Sequence, residues 1–330
     1  MTNNPNGTMR AVQVVARGKA EFIEMPKPEL KPGHALVRTK RLSLCGSDIR
    51  WLHFFPPERY PLPPGTTGHE MVGVVEAVDS PDGAIKPGDV ALTLAPDHRA
   101  MVEYYVAPVS DVFVLPPDRP VEHGLQAQQL GTVIYACKQL PNLIGKDVAV
   151  IGQGSAGLYY DFMLRRMGAR RVIGLDLQPH RLKAAEIFGA THTIHNVGID
   201  PAQAIRDITG GELADVVIEA AGEIETMNLA LDLVKHSGFV LQFGVPRGEN
   251  FPFHYEKVFG KCLRIQGIVG AHHEPNYTST RQALDMIASG EIDVSPLLTH
   301  SFPFERVMEA YELQHTRDEG AIKIVIEMPE

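Results

Sequence analysis

The stretch that decides the fold runs from Asp147 to Gly157 and reads DVAVIGQGSAG. Its first five residues form the short apolar run of a buried strand, and the next six, Gly152-Gln153-Gly154-Ser155-Ala156-Gly157, have the pattern G-x-G-x-x-G. The first glycine permits a tight turn, the second lets the backbone approach a pyrophosphate, and the third lets helix and strand pack closely. Helical spacing begins at Ala156, so free N–H groups would face the anion. The stretch predicts a dinucleotide-binding strand–turn–helix unit.

Asp176 and Arg181 bear on the choice of cofactor. Asp176 ends the next predicted strand, 19 residues after Gly157, where its carboxylate could accept hydrogen bonds from ribose hydroxyls. The same charge would repel a 2′-phosphate, which favours NAD over NADP. Arg181 follows about one helical turn later and could contact either the ribose edge or a phosphate. The alternative is a glycine-rich turn with a solvated aspartate.

The rest of the chain divides by pattern. Strands and helices alternate from residue 147 to residue 269, which predicts βαβ units and a parallel sheet covered on both faces. The first 120 residues instead carry short apolar runs between proline and glycine clusters. After residue 276 the sequence predicts two helices and a final strand. We expect an α/β protein in which a β-rich domain (residues 1–138 and 277–330) is interrupted by an α/β domain (residues 139–276).

Composition excludes several classes of function. The 330 residues are 44% hydrophobic and 22% charged, as in a folded protein, and the net charge of −9 argues against nucleic acid as a partner. Three cysteines (Cys45, Cys137 and Cys262) are too few for a disulfide framework and indicate a reducing compartment. The polar N-terminus is no secretory signal, and no apolar run approaches the ~18 residues of a membrane helix. We expect a cytoplasmic protein that spans no membrane.

Candidate metal ligands occur at two places in the β-rich part. Leu44-Cys45-Gly46-Ser47-Asp48 is followed by Gly68-His69-Glu70. Zinc prefers cysteine thiolate and histidine nitrogen, and Glu70 could add a carboxylate or lie next to the ligands. Each motif alone also has a structural interpretation, because a lone cysteine is usually a small buried hydrophobe.

The motifs occur in one order along nearly the whole chain. They are CGSD, GHE, KPGDVAL (Lys86–Leu92), VEYYVAP (Val102–Pro108), GQGSAG, GVP (Gly244–Pro246) and ASGEIDVSPLLTHSFPFE (Ala288–Glu305). This set resembles the zinc-dependent alcohol and polyol dehydrogenases of the medium-chain dehydrogenase/reductase family, nearest to the sorbitol dehydrogenase-like branch. The resemblance implies a GroES-like catalytic domain, a Rossmann doubly wound parallel-sheet domain, and an active site in the cleft between them. It also implies a small-molecule substrate and a homodimer or homotetramer.

The resemblance also implies a set of metal ligands. Cys45 and His69 would bind one catalytic zinc, and Glu70 would be a ligand or a close neighbour. Neighbouring residues of an extended segment point to opposite sides, so ligation by both His69 and Glu70 would need a local bend. Asp48 would hydrogen-bond the other imidazole nitrogen of His69 and fix its tautomer.

Further residues are implied around the substrate and the cofactor. Ser47 would contact the substrate oxygen and take up its proton. Thr132 would line the nicotinamide pocket, and Val245 would lie near the carboxamide. The expected reaction is hydride transfer between an alcohol, polyol or hydroxy acid and NAD, with zinc lowering the pKa of the substrate hydroxyl.

Three positions depart from the family pattern. Gln128 stands where relatives often complete the metal site with Cys, Asp or Glu, and glutamine is a weak neutral ligand. LAPDHR (Leu94–Arg99) replaces the four-cysteine lobe that carries structural zinc in many relatives, so no structural zinc is expected. Arg50 stands where relatives often have a histidine that passes protons to solvent, and arginine does not deprotonate in proteins. Gln128 and Arg50 are candidate substrate contacts, and Arg50 could instead bind the cofactor pyrophosphate or pair with a nearby carboxylate.

Two other functions remain compatible with the sequence. One is a metal-free reductase of the same fold that uses NADPH, although the Cys45–His69 pair and Asp176 count against it. The other is a non-enzymatic dinucleotide-binding protein, which applies only if Gln128 has cost the chain its metal.

Overall fold

The glycine-rich stretch has the predicted strand–turn–helix geometry in the computed structural model, which describes residues 7–80 and 83–329. The strand Asp147–Ile151 is buried throughout, and the helix Ser155–Arg166 has Gly154 as its N-cap. The chain divides into two units. The β-rich unit comprises Met1–Gln129 and Pro275–Glu330, and the α/β unit comprises Leu130–Glu274.

Strands and helices are numbered along the chain. The strands are β1 (Thr8–Ala16), β2 (Lys19–Pro26), β3 (His34–Ser43), β4 (Glu70–Val78), β5 (Val90–Leu94), β6 (Tyr104–Pro108), β7 (Val112–Val114), β8 (Asp147–Ile151), β9 (Arg171–Asp176), β10 (His192–His195), β11 (Ala214–Glu219), β12 (Val234–Gln242), β13 (Arg264–Gly267), β14 (Leu298–Pro303) and β15 (Lys323–Glu327). The helices are α1 (Asp48–His53), α2 (Val121–Cys137), α3 (Ser155–Arg166), α4 (Pro179–Phe188), α5 (Pro201–Thr209), α6 (Ile224–Leu233), α7 (Tyr255–Gly260), α8 (Thr278–Ser289) and α9 (Val307–Thr316). Within the described residues, no helix is long and apolar enough to cross a bilayer.

The α/β unit is built on one parallel sheet. Its six strands have the order β10-β9-β8-β11-β12-β13, and every neighbouring pair is parallel. The chain order reverses between β8 and β11, which is where open α/β sheets bind their ligands. The glycine-rich turn follows β8 at that point. The predicted Rossmann fold is therefore confirmed.

The β-rich unit has a seven-stranded sheet in the order β14-β15-β3-β4-β5-β7, with β6 also paired to β3. β15 runs antiparallel to β3, with Val325 opposite Ser43. The C-terminal strand thus lies beside the strand that leads to Cys45. Leu42, Met71 and Phe304 are fully buried in the core of this unit. The predicted GroES-like β-rich domain is confirmed.

Three numbered elements of the α/β unit, β10, α5 and α7, were not predicted. β10 reads HTIH, and only Ile194 is buried in it, because the strand lies at the edge of the sheet. α5 begins at Pro201 after Asp200, whose side chain accepts a hydrogen bond from the N–H of Ala202. This N-cap followed by proline is a helix start signal that the sequence contains.

Candidate functional site

Cys45, His69 and Glu70 come together in the β-rich unit. One ligand atom from each lies within 4.8 Å of the others. The sheet brings them together, since Cys45 follows β3, His69 precedes β4, and Ser43 at the end of β3 pairs with Glu70 at the start of β4. Thiolate, imidazole and carboxylate are all zinc donors, so the donor set fits that metal.

A local bend lets neighbouring residues face the same point. Thr67 and Gly68 have φ angles of 79° and 104°, in the left-handed region. The Thr67 hydroxyl is hydrogen-bonded to the buried Tyr311 hydroxyl, and a Cβ at Gly68 would lie 3.0 Å from the Met101 nitrogen. The chain therefore turns sharply before β4, as joint ligation by His69 and Glu70 requires.

The two carboxylate oxygens of Glu70 have different surroundings. Oε2 accepts hydrogen bonds from the Ser43 hydroxyl and from Lys323, whose Nζ lies 2.6 Å away. Oε1 is buried, has no hydrogen-bond partner among the described residues, and lies 3.8 Å from His69 Nε2. A buried carboxylate oxygen without a donor is costly unless something binds it. Oε1 is thus the oxygen available to a metal.

Asp48 joins the two segments that carry the ligands. Its carboxylate is fully buried and accepts hydrogen bonds from the N–H of Cys45 (2.8 Å) and of Gly68 (3.3 Å). Burial raises the pKa of Asp48. Its Oδ1 is 3.8 Å from His69 Nδ1, too long for the hydrogen bond expected from the resemblance. Asp48 instead fixes the spacing of the segments through the backbone.

His69 holds a proton firmly in the absence of metal. Burial alone would lower the pKa of His69, but the hydrogen bond to Cys45 and the charges of Cys45, Asp48 and Glu70 raise it to about 9. The same negative groups that favour this proton would favour a divalent cation. Metal binding here would release the proton.

Gln129 reaches the site from α2. Gln129 Nε2 donates to Cys45 Sγ at 3.6 Å, and its Oε1 lies 3.4 Å from Lys323 Nζ. Gln128, the residue predicted at this position, is partly exposed, and its role at the metal site stays a prediction.

His98 is a residue of the site that the sequence did not reveal. Its ring centroid lies 4.3 Å from that of His69 and 5.3 Å from that of Trp51. Asp48, His69 and His98 also offer ligand atoms within 4.8 Å of one another. His98 belongs to LAPDHR, the segment that replaces the four-cysteine lobe, and the histidine itself is the signal there for a site residue.

Ser47 and Arg50 lie at the start of α1. The Ser47 hydroxyl is buried and has no hydrogen-bond partner among the described residues, as expected of a group that contacts a substrate oxygen. The Arg50 guanidinium lies 5.8 Å from the centroid of Phe55. No carboxylate within residues 7–80 and 83–329 forms an ion pair with Arg50, so neither Asp48 nor Glu70 compensates its charge.

The glycine-rich turn of the α/β unit is shaped to approach an anion closely. Gly152 has a φ angle of 90°, and a Cβ on Gly157 would lie 2.0 Å from the Gly152 carbonyl oxygen. Asp176 Oδ2 accepts a hydrogen bond from the N–H of Gln153 (2.7 Å), and Oδ1 accepts one from the N–H of Gln178 (2.8 Å). Asp176 therefore fastens the turn, and its remaining lone pairs can accept ribose hydroxyls.

The other predicted cofactor residues have defined positions. Arg181 Nη1 lies 3.9 Å from the place of a Cβ on Gly154, beside the turn. Val245 packs its carbonyl oxygen 2.4 Å from the place of a Cβ on Gly222, close to the end of β11. Thr132 is buried on α2.

Comparison with known proteins agrees with this geometry. The family pattern described as "Alcohol dehydrogenase GroES-like domain" matches residues 31–116, and "Zinc-binding dehydrogenase" matches residues 157–289. The chain is 28% identical to sorbitol dehydrogenase 1 of Saccharomyces cerevisiae, with all of both chains covered. It is 27% identical to an L-threonine 3-dehydrogenase of Anaeromyxobacter, covering 94% of this chain and 97% of that protein.

Solved structures show the same fold. A Sinorhizobium meliloti protein crystallised with NADP superimposes with a TM-score of 0.81 at 26% identity, covering 97% of this chain and 99% of that one. The two family patterns, the full-length relatives and the folds of the two units all indicate the same family. The chain belongs to the zinc-dependent medium-chain dehydrogenase/reductase family and is an oxidoreductase of the alcohol and polyol dehydrogenase type.

Proposed function

We propose that the protein is an NAD-dependent dehydrogenase that uses one zinc ion to interconvert a small alcohol, polyol or hydroxy acid and its carbonyl product. The observation that carries the proposal is the juxtaposition of Cys45, His69 and the unpartnered Oε1 of Glu70. These three groups would hold the zinc. When bound, zinc supplies a Lewis acid that lowers the pKa of the substrate hydroxyl.

Ser47 would bind the reacting hydroxyl. Its buried Oγ has no other partner in the described residues and can accept the hydrogen bond of a substrate O–H. Arg50 cannot accept the proton that is released, because guanidinium stays protonated in proteins. The proton therefore leaves Ser47 without passing to Arg50.

We propose NAD over NADP as the cofactor. The Asp176 carboxylate stands at the end of β9 beside the glycine-rich turn, where it would repel a 2′-phosphate. Arg181 lies beside the same turn and would contact the pyrophosphate or the ribose edge. The Sinorhizobium meliloti relative was crystallised with NADP, so binding of NADP is measured alongside binding of NAD. Preference of the unmodified protein for NADP would overturn this assignment.

For the substrate, we propose a molecule with an acidic group. Arg50 is a cation without an ion pair among the described residues, two positions after Asp48, and a guanidinium suits a carboxylate or phosphate. The threonine dehydrogenases that the chain resembles act on an amino acid, which carries a carboxylate. Arg50→Ala should raise KM for an acidic alcohol by about 10- to 100-fold and leave NAD affinity unchanged. Loss of NAD affinity without discrimination between acidic and neutral alcohols would assign Arg50 to the cofactor.

Two measurements test the proposed function as a whole. Metal analysis of protein purified without chelators should find about one zinc per chain. A screen of alcohols, polyols and hydroxy acids with NAD and with NADP should show formation of the reduced cofactor. Metal-free protein that reduces double bonds with NADPH would be the rival reductase. Metal-free protein that binds a dinucleotide without turnover would be the non-enzymatic alternative.

We also propose that the protein is a homodimer or homotetramer. β13 is an edge strand, and Phe259 and Val269 on either side of it are 77% and 80% exposed. An edge strand with apolar flanks favours pairing with a second copy. Phe259→Glu with Val269→Glu should shift the mass in light scattering towards the monomer. Ile144→Glu, at another exposed apolar residue of the same unit, is the control.

A further inference from the structure

A buried polar network lies behind the candidate metal site. Lys323, at the start of β15, is 1% exposed. Its Nζ lies 2.6 Å from Glu70 Oε2 and 3.4 Å from Gln129 Oε1. Gln129 Nε2 in turn donates to Cys45 Sγ at 3.6 Å. Lys323 is therefore linked to two of the three candidate ligands.

Lys323 determines the orientation of the Gln129 side-chain amide. An ammonium group only donates hydrogen bonds, so the amide atom that faces Lys323 must be the oxygen. The NH2 group must then face Cys45. An amide NH2 has no free lone pair for a metal, whereas the amide oxygen does. Gln129 thus presents its hydrogen-bond donor, and not its oxygen, to Cys45.

Lys323 also limits Glu70. The ammonium and the Ser43 hydroxyl both bind Oε2, which leaves Oε1 alone on the side of His69. The positive charge of Lys323 offsets one of the two negative charges that Cys45 thiolate and Glu70 would bring to a metal. Both effects lower the number and strength of the donors that the protein offers.

We propose that Lys323 and Gln129 are positioning residues that restrict the protein donors to Cys45 Sγ, His69 and Glu70 Oε1, so that a coordination position stays open for the substrate. The inference rests on the proposed zinc function and deepens it. Without Lys323, the Gln129 amide can turn its oxygen towards the metal, and Glu70 can offer both oxygens. The metal would then be held by more donors and by more negative charge.

The test uses cobalt(II) in place of zinc in the full-length protein. Cobalt(II) reports its donor number through its visible absorption, which weakens as donors are added. Lys323→Met should reduce this absorption and slow the transfer of cobalt to a chelator by about 10- to 100-fold, because a nearby positive charge has been removed. Lys323→Met combined with Gln129→Leu should restore part of the absorption. Lys138→Met, which removes a partly exposed lysine paired with Glu274, should change neither.

Gln129→Leu alone keeps the proposal falsifiable if Lys323→Met does not fold. If Gln129 donates only its N–H to the sulfur, this variant should keep the donor number and therefore the visible absorption, while loss of the hydrogen bond to Cys45 speeds cobalt exchange by up to about 10- to 100-fold. Rapid loss of cobalt with a changed donor number would make Gln129 a ligand and overturn the inference. Unchanged absorption and exchange in folded Lys323→Met would also overturn it. Failure of the proposed function appears separately, as an unmodified protein that takes up no cobalt.

Discussion

Cys45 is held from three directions at the residue scale. Asp48 accepts from its N–H, Gln314 Nε2 donates to its carbonyl oxygen at 2.6 Å, and Gln129 donates to its sulfur. The backbone is thus fixed on both sides of the thiol. A substitution confined to the sulfur should leave the surrounding fold in place.

Cys45→Ser should therefore remove roughly one zinc per chain and nearly all turnover, while NAD still binds, because a serine hydroxyl is a much weaker zinc ligand than a thiolate. Metal analysis and a cofactor titration on the same sample check this. Cys262→Ser, at an exposed cysteine, is the matched control. Activity in a metal-free Cys45→Ser protein would disprove the mechanism.

Asp176→Ser should weaken NAD binding by about 1–3 kcal/mol, through lost charge-assisted hydrogen bonds, and reduce the discrimination against NADP. Because Asp176 also accepts from the N–H groups of Gln153 and Gln178, part of the loss comes from the turn itself. Asp176→Asn, which keeps one acceptor oxygen, should lose less. Titration by cofactor fluorescence compares the three proteins. Equal affinities would show that Asp176 does not face the ribose.

Site residues that lie in short local motifs could be predicted from the sequence. Residues that reach the site only through tertiary strand pairing could not. Cys45, His69, Glu70 and Asp176 lie in short motifs with a chemical reason for their spacing. Lys323 contacts Glu70 only because β15 pairs with β3, and nothing near Lys323 in the sequence indicates that pairing.

At the scale of elements, the packing of α3 on β8 depends on Gly157. The close approach to the Gly152 carbonyl leaves no room for a methyl group. Gly157→Ala should force the helix away from the turn, lower the melting temperature, and weaken NAD binding by at least about ten-fold. Differential scanning fluorimetry with and without NAD measures both effects. Gly260→Ala, where a Cβ meets nothing within 4 Å, should be neutral in both.

Elements with a strong hydrophobic pattern were predicted from the sequence, whereas elements with a weak hydrophobic pattern were not. β8 and β9 are buried on both faces and read as continuous apolar runs. β12 begins at Val234, well before the apolar run that starts at Phe239, because the polar residues Lys235 to Ser237 interrupt the hydrophobic pattern of its first half. Tertiary pairing, which a local pattern does not contain, extends this strand.

At the scale of the whole molecule, Asp161 makes stability depend on pH. It lies on α3, fully buried, and neither carboxylate oxygen has a hydrogen-bond partner in the described part of the chain. Burial raises the pKa of Asp161 well above its ordinary value. The folded state therefore binds a proton that the unfolded chain releases above about pH 4, and the stability due to this group is lost as pH rises from there.

Asp161→Asn has no carboxyl group to ionise, so the loss of stability with rising pH should disappear. The free energy of unfolding of the variant, relative to that of the unmodified protein, should therefore increase with pH. Urea unfolding at several pH values above 4 measures the difference. Asp207→Asn, at an exposed aspartate of the same unit, should show no such trend. A difference for Asp161→Asn that stays constant with pH would mean that Asp161 is ionised in the folded protein.

The pairing of β15 with β3 has a consequence for biosynthesis. A ribosome delivers Cys45, His69 and Glu70 long before Lys323. Until then, β3 lacks β15 beside it, and the Glu70 carboxylate lacks its cationic partner. Zinc delivered before Lys323 has emerged would meet an incomplete site, so the metal centre is completed only after β15 has paired with β3.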